Sequence, residues 1–462
     1  MRIDFTSHGV LTDTHLITRA GDYSLNGRTF LYASDLFTFA YFSGLKQLWI
    51  LPGSKLSKNL TVKKVKVKGK YKFKYTKFQK EFIKPRGGWT ADQEEIKYTL
   101  INGRGLTGAR VQIIAPGIIP PANALDSITD ARELFAAVSD LQHRLNVEIT
   151  VPIITAKKLL YSTLKREIAP CTSDMSPFVF NNELDLMWTR ELTDEEKKLN
   201  YLHVYDKTHA YLSSCGLELG QGNYEYFTGR AKLFTSPSVG IPVGLYRVSR
   251  ISDCPTALAQ FINTDGWFYS PMLELLRHAT YVEIEEAYTW RNTARTLDAY
   301  YKILRREIKP DERGQPINAF LKAMFRQFFG WLGRLKGKDG DALYRPDWRC
   351  LIISQTKANI IRNVLSVYEA TGIMPAFISV DSVGYLSDCP NYQDAIPFPF
   401  TGVNPKTGAA SPYRHNFTLE AAKAIPVLTS GESMTEIYKT LRATAKEDLF
   451  NKLHTIFDVK GD

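Results

Sequence analysis

The sequence predicts an α+β fold with a β-rich, basic N-terminal domain, and three observations carry that expectation. Up to about residue 115 the apolar residues fall in short alternating runs of period two, which is strand spacing. Beyond Pro116 the apolar period lengthens to helical spacing in several longer stretches. Positive charge is concentrated in one place. The 462-residue chain carries a net +11, while Lys55 to Arg86, with twelve Lys, one Arg and one acid, carries +12 by itself, leaving −1 for the rest.

The N-terminal domain, 1–115, opens with runs such as VLTDTHLITRA, RTFLYASDLFTFAYF and QLWILPG. Inside the basic segment Lys64, Lys66, Lys68, Lys70, Lys72 and Lys74 alternate with Val65, Val67, Gly69, Tyr71, Phe73 and Tyr75. This predicts a strand, or a hairpin turning near Gly69, with one ammonium face and one apolar or aromatic face. Rows of ammonium groups beside aromatics suit a nucleic-acid backbone, because each neutralised phosphate releases counterions. A plainer use is a lysine edge that blocks strand addition. An apolar strand follows at Val111 to Ile114, and the PGIIPP stretch from Pro116 to Pro121 breaks the chain.

An α/β connecting region, 116–195, reads as an amphipathic helix from Asp126 to Leu145, a strand-like run from Val147 to Ile154 and a helix through Ile168. Pro170 to Asn182 reads as a linker, and Leu192 to Lys198 as a polar helical turn. From Tyr201 a hydrophobic strand ends at Asp206, and the glycine-rich Gly216 to Gly222 reads as a turn. A strand at Thr280 to Ile284 leads to two helices, Ala294 to Ile308 and Ile317 to Leu335, and a third covers Thr356 to Thr371. Asp381 then interrupts an apolar alternation, which predicts a tight strand-turn-strand with the carboxylate at its tip.

Composition narrows the function classes. With 44% hydrophobic and 23% charged residues the chain has material for real cores. No run approaches the roughly 20 apolar residues that span a bilayer, and MRIDFTSHGV lacks the pattern of a secretory signal. Five scattered cysteines, none in a CxxC pair, fit a reducing compartment and disfavour a disulfide framework or a cysteine-rich zinc site. The expectation is a cytoplasmic protein of a bacterial or phage-infected cell. Eight dispersed histidines offer no metal centre, and no Walker A loop, nucleophile elbow or dinucleotide fingerprint stands in a fitting context.

Three segments carry chemistry. Asp206, ending its strand in VYDKTHAY, has Tyr211 five residues on, an aromatic wall beside an exposed carboxylate. In KAMFRQFFG, Leu321, Met324, Phe325 and Phe328 form a core stripe, while Lys322 and Arg326 share a helical face, as do Arg305 and Lys309 on the preceding helix. Two such helices joined by a short turn present four cations to a polyanion such as a triphosphate. The third segment is FISVDSVGY, with Asp381 at its centre. Taken singly, each has an ordinary structural use.

In this order the segments resemble motifs A, B and C of family-B DNA polymerases, over about residues 200 to 390. Asp206 and Tyr211 match D-x-x-S-L-Y, with His209 replacing the serine. Lys322 and Gly330 match K-x-x-x-N-S-x-Y-G, with Phe329 replacing the tyrosine and Arg326-Gln327 replacing Asn-Ser. Ser379 replaces the first aspartate of D-T-D-S, while Asp381 and Ser382 remain.

The resemblance implies a polymerase-like right hand. It has an antiparallel-sheet palm (196–290 with motif A, 341–390 with motif C), two-helix fingers (291–340) and a small thumb-like C-terminal region (391–462). It implies two Mg²⁺ ions, with Mn²⁺ as a substitute, held by Asp206, Asp381 and the Lys207 carbonyl. Arg305, Lys309, Lys322 and Arg326 would hold the triphosphate. Tyr211 would exclude a 2′-hydroxyl, and Gly330 would let the base pair approach. Tyr413-Arg414 would stand in for the K-x-Y element at the primer, and the lysine strands would grip nucleic acid.

Family members usually carry a 3′–5′ exonuclease with Asp-x-Glu on a hydrophobic strand. The only such spacings in the first 200 residues, Asp92-Gln93-Glu94 and Asp194-Glu195-Glu196, lie in polar stretches, so no proofreading is expected. The expected partners are a DNA primer-template and deoxynucleoside triphosphates, with a protein primer or other replication proteins as further candidates, in phage or mobile-element replication. Two alternatives stand beside this reading: a catalytically inactive polymerase-fold protein that binds nucleic acid for replication initiation or at DNA ends, and a primase or terminal transferase.

Overall fold

The computed structural model describes residues 124–128, 131–149, 152–180, 186–233, 240–262, 266–278, 281–309, 315–333 and 343–458, and seven strands between residues 23 and 114. The chain divides into two compact units, Met1–Arg166 with Ala299–Trp331, and Glu167–Asp298 with Leu332–Asp462. It is a mixed α/β chain whose sheets are almost wholly antiparallel.

The first unit begins with β1 (Tyr23–Leu25) and β2 (Arg28–Phe30), an antiparallel pair. β3 (Gln47–Trp49) runs parallel to β7 (Arg110–Ile114), which also pairs with β6 (Glu95–Thr99). The lysine segment forms the expected hairpin, β4 (Lys63–Val67) and β5 (Lys70–Lys74). Its register does not segregate the charge. A two-residue connection pairs even with odd positions, so Lys64 opposes Phe73, Lys66 opposes Tyr71, Val65 opposes Lys72 and Val67 opposes Lys70. Directly opposed residues share a face. Lysine positions therefore fall on both faces of the ribbon instead of one; Lys68 lies outside the described residues.

Among the described residues, four α-helices belong to the same unit: α1 (Ala131–Leu145), α2 (Pro152–Thr163), α3 (Asp298–Glu307) and α4 (Pro316–Leu332). The strand expected from Val147 to Ile154 is not formed. Asn146, at φ 52°, ends α1, and Pro152 opens α2. Proline cannot donate to a ladder but suits a first helical turn, so the β-branched residues beside it join the helix. Arg144 binds the end of α3, from Nε to Glu307 Oε2 and from Nη2 to the Glu307 carbonyl, both at 2.7 Å. Asn318 clamps the α3–α4 connection, accepting from the Lys309 N–H (3.0 Å) and donating to the Lys309 carbonyl (2.6 Å). Leu321, Met324, Phe325 and Phe328 are buried as the helical stripe requires.

The second unit is built on a five-stranded antiparallel sheet in the order β18-β9-β17-β16-β8: β8 (Met187–Thr189), β9 (Tyr201–Lys207), β16 (Phe377–Ser379), β17 (Ser382–Ser387) and β18 (Tyr413–Glu420). Its helices of eight residues or more are α5 (Pro346–Thr371), α6 (Ala421–Leu428) and α7 (Met434–Asp458). Alternation along β9 feeds two cores. Tyr205 joins Ile360, Ile361 and Val364 of α5, while Leu202 and Val204 join Leu428, Ile437 and Leu441 of α6 and α7. Asp206, one step beyond Tyr205, therefore belongs to the α7 side. At Gly384 an added Cβ would sit 2.2 Å from the Phe377 ring on the facing strand, so only glycine lets that ring lie across β17.

A second sheet, order β11-β14-β12-β13, comprises β11 (Glu225–Leu233), β12 (Gly244–Ser252), β13 (Gly266–Tyr269) and β14 (Tyr281–Thr289). The glycine-rich run read as a turn contributes β10 (Leu219–Gly220), which pairs with β15 (Thr293–Ala294). The Gly220 carbonyl accepts from Arg345 and from the Trp348 indole (2.5 and 2.8 Å). Within the expected linker, a single helical turn at Ser176–Phe180 buries Phe178.

Candidate active site

Strand pairing brings Asp206 and Asp381 together. Asp206 lies in β9 in register with Ser382 of β17 on one side and Arg414 of β18 on the other. β16 and β17 are joined through Val380 and Asp381, which puts Asp381 at the tip as the apolar alternation predicts. The turn is tight enough to hold Val380 at φ 59°, a left-handed conformation that costs a β-branched residue roughly 1–3 kcal/mol. Backbone bonds hold it there: Val380 N–H donates to the Leu186 carbonyl (2.9 Å) and Lys207 N–H to the Asp381 carbonyl (2.8 Å). The second of these ties the end of β9 directly to the turn.

Side chains complete the site. Ser382 Oγ donates to Asp206 Oδ1 at 2.6 Å, and Arg414 Nη2 stands 3.9 Å from Asp206 Oδ2. Burial, and then the charge of Asp206, push the Asp381 carboxyl up to about 6, against the downward pull of Arg414. Both carboxylates open onto a cleft of about 330 Å³, also lined by Ser382 and by Thr435, Tyr438 and Arg442 of α7. Behind the site the Lys207 ammonium is buried and its pKa falls to about 8, through burial and then the nearby Arg362; it stands 5.7 Å from the Tyr413 ring.

A carboxylate raised by burial and then by a like charge would be relieved by a cation between the two. The donors offered are hard oxygens, which suits Mg²⁺ or Mn²⁺ better than a softer metal. Among the described residues no group of three or more His, Cys, Asp or Glu converges, so the two aspartates are the whole carboxylate set. Ser379, standing where the motif has its first aspartate, is buried in β16 with its hydroxyl 3.7 Å from Met187 Sδ.

The other expected site residues are distributed as follows. Tyr211 lies in a one-turn helix, Ala210–Ser213, that follows β9 through His209 at φ 53°. Tyr413, expected at the primer, is instead a core residue. Only 4% exposed, it accepts a bond from Asn363 Nδ2 at 3.0 Å, whereas Arg414 is half-buried. Arg305, Lys309, Lys322, Arg326 and Gly330 lie in the α3–α4 hairpin of the first unit. There Arg305 and Arg326 are exposed, and Arg305 Nη1 donates to the Tyr301 hydroxyl at 2.7 Å. Lys64, Lys66, Lys70, Lys72 and Lys74 lie in β4 and β5. Of the two Asp-x-Glu spacings, Asp92-Gln93-Glu94 is outside the described residues. In the other, Glu196 is engaged by Arg190 and Thr193 and serves the local turn.

Sequence reasoning missed Tyr438, Thr435 and Arg442. Nothing in the α7 sequence announces them, because helical periodicity does not say which strand end a helix will cross.

No known family profile matches the sequence, and no curated protein matches it. Among solved structures the chain is similar to phi29 DNA polymerase complexed with primer-template DNA and incoming nucleotide substrates. The TM-score is 0.50 at 11% identity, over 85% of this chain and 79% of that one. The same polymerase with single-stranded DNA gives a TM-score of 0.47 at 11% identity, and its post-translocation binary complex 0.46 at 12%, over the same shares. At such identity the likeness is one of fold: this chain has a fold similar to that of a DNA polymerase.

Proposed function

We propose that the chain is a DNA-directed DNA polymerase of family-B type without 3′–5′ exonuclease, serving phage or mobile-element replication. The observation that carries the reading is the Asp206–Asp381 pair, brought together at one end of an antiparallel sheet from strands 175 residues apart in sequence. Carboxylates are costly inside a protein, and Asp381, lifted by burial and then by the charge of Asp206, fits a place where a cation is held.

In the proposed reaction the primer 3′-oxygen attacks the α-phosphorus of a deoxynucleoside triphosphate. The new O3′–P bond forms as the bond to the β-phosphate oxygen breaks; pyrophosphate leaves, and the hydroxyl proton passes to solvent. Asp206, Asp381 and the Lys207 carbonyl are the groups proposed to hold Mg²⁺ or Mn²⁺. When bound, such ions make the hydroxyl a better nucleophile and offset the charge that develops on phosphate. The chain's own work is positional. Ser382 orients Asp206, the Lys207–Asp381 backbone bond fixes the spacing of the two strand ends, and Arg414 supplies positive charge beside the pair. Tyr211 is proposed as the sugar gate. Arg305, Lys309, Lys322 and Arg326 are proposed as triphosphate ligands, a role that rests on the motif resemblance and on their pairing along helical faces.

Primer extension on a duplex with a 5′ overhang tests the reading, with Mg²⁺ or Mn²⁺, deoxy- and ribonucleotides, and Asp206→Asn and Asp381→Asn controls. Templated extension lost in both variants is the expected result. Untemplated addition would point to a terminal transferase or primase. If nothing is incorporated while the Asn variants bind DNA like wild type, the inactive binding protein is the correct reading.

A further inference from the structure

Ser382 stands between Asp206 and the C-terminal helix. Its hydroxyl lies 2.6 Å from Asp206 Oδ1 and 2.8 Å from Tyr438 Oη. A hydroxyl has one proton, and a carboxylate oxygen only accepts. Ser382 Oγ is placed to donate to either oxygen. Its one proton goes to the charged Asp206 carboxylate, the stronger acceptor, which leaves the Ser382–Tyr438 contact to be made with the Tyr438 proton. Asn416 Nδ2 donates in turn to Tyr438 Oη over 3.2 Å. A single arrangement of protons satisfies every link, running Asn416 to Tyr438 to Ser382 to Asp206, and each bond polarises the next. The Tyr438 ring packs on Phe377, with centroids 6.1 Å apart, and its residue lines the same cleft as the two carboxylates. Neither Tyr438 nor Asn416 belongs to the three motifs.

We propose that Tyr438 is a positioning residue which, acting through Ser382, fixes the orientation of Asp206 for a divalent cation; the proposal rests on the polymerase reading of this site. A carboxylate with two oxygens and a free χ2 has many ways to face a cation, and a donor anchored at Oδ1 selects among them. The anchor is worth more when the serine is itself anchored. Tyr438 provides this from a helix that is packed on the sheet through Ile437 and Leu441.

The test is Tyr438→Phe, which removes the hydroxyl and keeps the ring against Phe377. Mn²⁺ binding is titrated by electron paramagnetic resonance in the full chain. Single-nucleotide incorporation is followed in parallel over a range of Mg²⁺. The Mn²⁺ dissociation constant is expected to rise about tenfold, a size typical when a group orienting a metal ligand is lost. Half-saturating Mg²⁺ should rise with it, while KM for nucleotide at saturating Mg²⁺ and the thermal midpoint stay near wild type. Asn416→Ala, one bond further out, should show a smaller rise.

Equal Mn²⁺ affinity in wild type and Tyr438→Phe overturns the proposal, whatever the activity. Weaker Mn²⁺ binding in the variant, with no incorporation by either protein, sinks the polymerase reading and leaves the positioning role standing. A wild-type chain that binds no Mn²⁺ overturns both.

Discussion

Replacing Asp381 by Asn should stabilise the metal-free protein while it abolishes incorporation. Burial and the charge of Asp206 lift the Asp381 carboxyl from 3.8 to about 6. A carboxyl raised on folding contributes stability below its unfolded pKa and loses it as pH rises through the folded one. At about 1.4 kcal/mol per tenfold change in proton affinity, the ionised side chain costs the folded state about 3 kcal/mol above pH 7. Asparagine keeps the shape and removes the charge. Its advantage should be about 1 kcal/mol near pH 4.5, where the folded carboxyl is already protonated and the unfolded one mostly ionised, and should approach the full value at pH 8. Urea unfolding of both proteins in chelator at these two pH values measures the difference. Added Mg²⁺ should raise the midpoint of wild type and leave the variant unmoved, since only a ligand bound by the native state stabilises it. A variant less stable than wild type at pH 8, or one whose gain is the same at both pH values, would refute the electrostatic account of the site.

Three further outcomes are expected. Asp347→Asn should cost about 3–5 kcal/mol in urea unfolding, because it leaves the Arg345 guanidinium, 1% exposed and bonded to Asp347 at 2.9 and 2.6 Å, without its counter-charge; a loss under about 1 kcal/mol would mean that Gly220 and Trp348 suffice to hold it. Gly384→Ala should destabilise by driving a methyl into the Phe377 ring, and Phe377→Leu in the same chain should recover part of the loss; two independent, additive losses would disprove the contact. Replacing Lys64 and Lys66 by Gln should flatten the salt dependence of DNA binding by about two in log–log slope if both meet phosphates; an unchanged slope would leave the hairpin a shielded edge.

The carboxylate pair was legible because its local patterns are strong. A hydrophobic strand that stops at Asp206 and an apolar run broken by Asp381 each have a short list of structural solutions, and pairing β9 with β17 satisfies both. The helical stripe from Leu321 to Phe328 was legible for the same reason. Failures fell where a distant partner or a single proline decides. Pro152 turned a β-branched run into a helix start. A two-residue connection set the parity of the lysine hairpin, which composition does not encode. The motif resemblance puts Tyr413 at the primer beside Arg414, yet strand alternation turns it inward against α5, where Asn363 meets its hydroxyl. Tyr438 and Arg442 were invisible, because their role comes from where α7 docks.

The placement of Asp206 has a consequence for dynamics. Its strand is hydrogen-bonded along both edges, to β17 and β18, and buried on both faces. Such a strand belongs to the slowest-exchanging class of amides, which open only with global unfolding. Hydrogen exchange should therefore find the amides of Leu202 to Tyr205 among the last to take up deuterium. Asp206, proposed above as a cation ligand, is thus mounted on a strand held along both edges and on both faces. Any local opening near the carboxylate pair must be borne by elements around this strand, while the strand itself keeps still.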